Sequence, residues 1–128
     1  MSEPCASVVA VLVFDATALA ALFDAYPPIW ALWHRADHGH TQLGLPVAAI
    51  IEAGQMVEAS VSAWEFILQS TGVTVLPLME RAAVEISAWS GVSLAARQSM
   101  WEAQALNCPL VTRDASLYTP GIVPIIVL

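Results

Sequence analysis

Lysine is missing from this 128-residue chain altogether, and four arginines (Arg35, Arg81, Arg97 and Arg113) face eleven acids for a net charge of −7. Proteins that coat nucleic acid without sequence preference bind by displacing counterions with basic side chains, so that class is excluded. Charged residues are scarce at 12%, whereas 58% of the chain is apolar. A chain so balanced can bury enough surface to fold and does not read as disordered. Its length suits one domain rather than two, and its high apolarity predicts some apolar surface hidden against a partner.

Long apolar runs are also absent. Residues 8–14 and 16–23 are interrupted by Asp15 and fall short of the roughly 20 residues needed to span a bilayer, so no membrane segment is expected. The start of the chain carries Glu3 and no basic flank, unlike a secretory signal. The two cysteines, Cys5 and Cys108, have no metal-type spacing, and the plain expectation is a reduced, cytoplasmic protein. Internal repeats, low-complexity tracts and linkers are lacking too.

What is present is an alternation of strand-like and helix-like segments. Residues 7–14 (SVVAVLVF) form a continuous β-branched apolar run, the mark of a strand buried on both faces. Residues 16–25 are rich in Ala and Leu at helical spacing, and Pro27 and Pro28 stop that helix. Pro28 suits the first position of a second helix over 29–37, ending at Gly39. Pro46 is expected to open a helix from 47 to about 57, and 60–70 gives another, closed by Gly72. A short strand over 73–78 precedes a helix with Arg81 and Glu85 four apart and an end at Gly91. Ser93 is a candidate cap for a helix over 94–106. Strands over 109–112 and 122–127 close the chain. Such alternation predicts right-handed β-α-β units: an α/β/α three-layer sandwich around a mainly parallel sheet of about four to five strands.

Ligands of open α/β sheets bind beyond the carboxyl ends of the strands, so acids directly after strand-like runs draw attention. Asp15 follows the first strand, and Asp114 follows PLVTR. Glu52 interrupts an apolar helical stretch, where an unpaired carboxylate is costly to desolvate. Three carboxylates brought together require a cation, and oxygen-only ligation favours Mg²⁺ or Mn²⁺. The chemistry that suits such a site is phosphodiester hydrolysis, in which the metal lowers the pKa of a bound water. The blander alternative makes Asp15 a helix cap, Asp114 a turn residue and Glu52 an exposed helix residue.

Three segments together carry a family resemblance: VLVFDATALAALF, LPVAAIIEAGQMV and NCPLVTRD. In this order the chain resembles the PIN-domain nucleases, and in particular the VapC-type ribonuclease toxins of bacterial toxin–antitoxin pairs. The likeness implies the PIN-like sandwich and a metal-dependent endoribonuclease. By it, Asp15, Glu52 and Asp114 are the catalytic and metal-holding acids, and Thr17 and Thr112 orient the carboxylates or a bound water. Arg97 and Arg113 are candidate contacts to RNA phosphate. The likeness further implies a homodimer and a separate antitoxin that lays a segment across the acidic site.

One position departs from the family pattern. Where the family usually carries a further aspartate near the start of the helix before T-x-D, this chain has Ala96. Glu102 is a poor substitute, because six residues along a helix add about 9 Å of rise and roughly 240° of rotation. The departure opens a second reading, a PIN-like module that binds protein or RNA without cutting. A phosphoacceptor receiver domain also places acids at strand ends, but it needs a lysine near them.

Two further groups read as structural. His34 and His38 are spaced four apart with His40 beyond, a zinc-like pattern better explained as a frayed helix end. The five tryptophans lie in helical settings, which favours core packing or a protein interface over base stacking. Trp30 and Trp33, with Ile29, are the expected interface patch.

Overall fold

A computed structural model of the chain describes residues 11–128. Cys5, Glu3 and residues 7–10 of the expected first strand lie outside them. The first element, β1 (Val11–Phe14), leads into α1 (Ala16–Phe23) and α2 (Pro27–Asp37). Then come β2 (Gln42–Pro46), α3 (Val47–Met56), α4 (Val61–Leu68) and β3 (Val73–Leu76). The chain finishes with α5 (Glu80–Ser87), α6 (Leu94–Leu106), β4 (Leu110–Thr112) and β5 (Ile125–Val127). All neighbouring strands pair in parallel, in the order β3-β2-β1-β4-β5.

The expected α/β sandwich is therefore present, with five strands among the described residues, and one of them, β2, has no counterpart in the strands expected from the sequence. Strand β2 runs through Gln42-Leu-Gly-Leu-Pro46, where Gly44 weakens the strand signal and Pro46 was expected only to open the helix. Both features have a tertiary cause. A side chain on Gly44 would place its Cβ 2.8 Å from the Cδ1 methyl of Leu76 on β3, so any larger residue there would have to push that leucine aside. Pro46 sits at the end of the strand, and α3 begins with the next residue.

The two faces of the sheet bury different helices, as period-two alternation requires. Leu12 and Phe14 point to one side and join Leu19, Leu22, Ile29 and Trp33. Val13 points to the other, where Leu110 meets Ala96 and Ala103 of α6. Small residues at the helix starts, Ala16, Ala48, Ala49 and Ala95, pack together and bring α1, α3 and α6 close above one end of the sheet. The indole of Trp33 is 3% exposed and belongs with Ile29 to the main core, so the expected interface patch faces inward instead. Helix α2 turns its apolar stripe to the sheet, and Trp30 is half-buried against it.

Helix ends follow local chemistry. Asp15, Ser60 and Ser93 accept from the N–H three residues on, capping α1, α4 and α6. Helix α6 ends at Asn107, whose left-handed backbone (φ 52°) suits asparagine better than most residues.

Candidate functional site

The site grows from the first residue after β1. Asp15 keeps extended backbone and still takes part in the sheet, its N–H donating to Val111 O at 3.2 Å. Its own carbonyl accepts from Leu19 N–H at 3.0 Å, the first bond of α1. The acid is thus held at the carboxyl edge of the two central strands β1 and β4. It is 1% exposed.

A carboxylate offers about four acceptor positions, and here all are used. On Oδ1, Asp15 accepts from the Thr17 hydroxyl at 2.6 Å and from Ala18 N–H at 2.9 Å. On Oδ2 it accepts from the Thr112 hydroxyl at 2.6 Å and from the Tyr118 hydroxyl at 2.6 Å. The two threonines are themselves fixed from the backbone. Thr17 accepts from Arg113 N–H at 2.9 Å, and Thr112 accepts from Asp114 N–H at 3.0 Å. Their hydroxyl oxygens lie 3.1 Å apart. Thr17 and Thr112 were expected to orient a site carboxylate, and each donates to Asp15.

Asp114 is exposed and caps a short 3₁₀ turn, Ala115–Leu117, by accepting on Oδ1 from Ser116 N–H at 3.1 Å and from the Ser116 hydroxyl at 2.5 Å. Glu52 stands half-buried on α3 beside a shallow groove with Ala48, Ile51, Leu94 and Ala95. What relates the three acids is Tyr118. Burial first, then the charge of Asp15 and the hydrogen bond to it, then the charges of Glu52 and Asp114, push this phenol far above its ordinary range. Of the three acids only Asp15 hydrogen-bonds that hydroxyl, and among the described residues no three His, Cys, Asp or Glu side chains form a group able to hold a metal ion.

Both oxygens of Asp15 receive donors at 2.6 to 2.9 Å, so a Mg²⁺ or Mn²⁺ ion binding there would have to displace one of them. Ala96 adds no ligand: it is 4% exposed and shares an apolar cluster with Val13, Leu110 and the Tyr118 ring. Glu102 is buried on the same helix, where its Oε2 accepts from Gln98 Nε2 at 3.3 Å. Burial raises its pKa, partly offset by that bond.

The two arginines expected to meet phosphate are engaged within the fold. Arg97 donates from Nη1 to Ile86 O at 3.3 Å and to Trp89 O at 3.1 Å, satisfying carbonyls at the end of α5. The Arg113 guanidinium lies 3.8 Å from the centre of the Tyr26 ring, a cation–π contact. Of the other two arginines, Arg81 pairs with Glu85 at 3.0 Å.

Two residues of this region had no sequence signal. Tyr118 falls in a segment with turn-like composition, and nothing local marks its hydroxyl as facing an acid 103 positions earlier. Gln98 is fully buried on α6, accepting from Ala48 N–H at 2.9 Å and donating to Leu76 O at 3.1 Å. It thereby satisfies an orphan donor at the start of α3 and joins that helix to α6 and β3. No family model matches the sequence, and no curated protein matches it.

Proposed function

We propose that the chain is a PIN-like domain, related to the VapC-type toxins, that acts as a cytoplasmic protein-binding module and no longer cuts RNA. The observation that carries this reading is the state of Asp15, whose four acceptor positions are taken up by Thr17, Ala18, Thr112 and Tyr118. An acid so satisfied stabilises the start of α1 and ties β1 to β4 without a metal. Three of the four arginines are held by groups of the fold and the net charge is −7, which argues for a protein partner over RNA. The partner that the family likeness suggests is an antitoxin-like protein, and the side of the site carrying exposed Asp114 and half-buried Glu52 is where a basic segment of it would find opposite charge. A homodimer accords with exposed apolar side chains on α3 and α4, among them Ile51, Met56 and Phe66. No helix among the described residues is long and apolar enough to cross a membrane.

A second reading, a Mg²⁺- or Mn²⁺-dependent endoribonuclease acting as a toxin, draws on the common influence of Asp15, Glu52 and Asp114 on Tyr118. One experiment separates the two. The purified protein, incubated with single-stranded RNA and either cation, is expected to leave the RNA intact and to form a stable complex with the product of a small neighbouring gene. RNA cleavage that disappears in a folded Asp114→Ala variant would establish the nuclease instead. Intact RNA with no complex would remove the protein-binding reading.

A further inference from the structure

We infer that Tyr118 closes the Asp15 site to divalent cations, its hydroxyl standing in for the ion that an acid at the end of two central strands would otherwise attract. The inference rests on the reading of the site as one that does not cut, and it names the residue responsible. The Tyr118 hydroxyl reaches Asp15 Oδ2 at 2.6 Å, a length typical of a strong bond to a carboxylate. It shares that oxygen with the Thr112 hydroxyl, also at 2.6 Å, so no lone pair is left on that side.

The phenol is anchored rather than resting at the surface. Tyr118 is 6% exposed, and its ring belongs to the apolar cluster of Val13, Ala96, Ala103 and Leu110. Its backbone N–H donates to Ala115 O at 3.2 Å, closing the 3₁₀ turn that Asp114 caps. Swinging the ring outward would expose its apolar surface, break the bond to Asp15 and disturb the turn. Ala96 is part of the same arrangement. A carboxylate at that position would enter the apolar cluster that seats the ring and would need its own donors or an ion. Alanine at 96 and tyrosine at 118 are therefore mutually consistent: one removes a ligand and leaves the cluster apolar, the other supplies a neutral donor to the remaining buried acid.

The test uses Mn²⁺ as probe, with binding followed by the electron paramagnetic resonance of the free ion and by the shift in thermal unfolding. The wild-type protein is expected to bind no Mn²⁺ at millimolar concentration and to keep its unfolding temperature. Tyr118→Phe retains the ring and frees one position on Asp15; it is expected to withdraw free Mn²⁺ from solution and to unfold at a higher temperature when Mn²⁺ is added. Adding Asp15→Asn to that variant should abolish both effects. Tyr118→Met serves the same purpose should the phenylalanine variant not fold. Equal Mn²⁺ affinity of wild type and variant would overturn the inference, as would folded Tyr118→Phe and Tyr118→Met proteins that both fail to bind. Either failure leaves the non-cutting reading standing, since that reading is decided by the RNA assay.

Discussion

Among the described residues two acids are buried, and they are treated in opposite ways. Asp15 is 1% exposed and receives four hydrogen bonds; Glu102 is 8% exposed and receives one, from the Gln98 amide at 3.3 Å. The difference is one of position. Asp15 sits where a strand becomes a helix, so it faces an unpaired helix N–H from its own chain and hydroxyls from the neighbouring strand end. Glu102 projects from the middle of α6, where every backbone N–H is already bonded within the helix and only another side chain can donate. An acid at a strand-to-helix junction can therefore be buried as part of the architecture, whereas one on a helix face is tolerated with its pKa raised.

This contrast is sharpest at Asp15 itself. Asp15→Ala removes the α1 cap and leaves the Thr112 and Tyr118 hydroxyls buried without their acceptor, and it is expected to destabilise the fold by about 3 to 5 kcal/mol in urea denaturation. A loss below about 1 kcal/mol would show that the four bonds do not act as a unit.

A smaller effect is expected from Tyr118 in alkali. Its folded-state pKa is raised above the ordinary value of 10.0, so its contribution is complete below that pH and is lost as pH rises beyond it. Stability should fall on moving from pH 9 to pH 11 (approximate bounds set around the free phenol), and Tyr118→Phe should flatten that part of the profile. An unchanged slope in the variant would assign the alkaline loss to other groups.

The smallest effect belongs to Glu102. Its pKa is also raised above the ordinary 4.5 by burial, so its favourable contribution is full below that pH and is lost as pH rises through the folded value. Glu102→Gln is expected to raise the unfolding midpoint at pH 7 and to make little difference at pH 4. A midpoint lowered at pH 7 would mean that the Gln98–Glu102 bond outweighs the burial of charge, and the two acids would be more alike than their surroundings suggest.

Much of this arrangement was legible in the linear chain. The β-branched run before Asp15 and the Ala/Leu spacing after it mark a strand passing into a helix, and Ser93 is a recognisable cap; each is a signal within one or two turns. Strand β2 was not legible, because Gly44 and Pro46 read as breakers until Leu76 is seen packing against the glycine. The contacts of Arg97 and Arg113 were not legible either, because the carbonyls of Ile86 and Trp89 and the ring of Tyr26 are brought near them only by packing.

By itself, then, the order of residues determined the local elements and the placing of an acid, with a hydroxyl two positions on, at a strand-to-helix junction, since those features depend on backbone preferences and side-chain period. The tertiary structure decided what that acid does. Laying β4 beside β1 carries Thr112 to its second oxygen, and the turn beyond β4 carries Tyr118 there as well, across 97 and 103 positions of chain. Hydrogen-bond capacity is finite, so the partners that strand order delivers determine whether a carboxylate remains open to a ligand or becomes part of the frame.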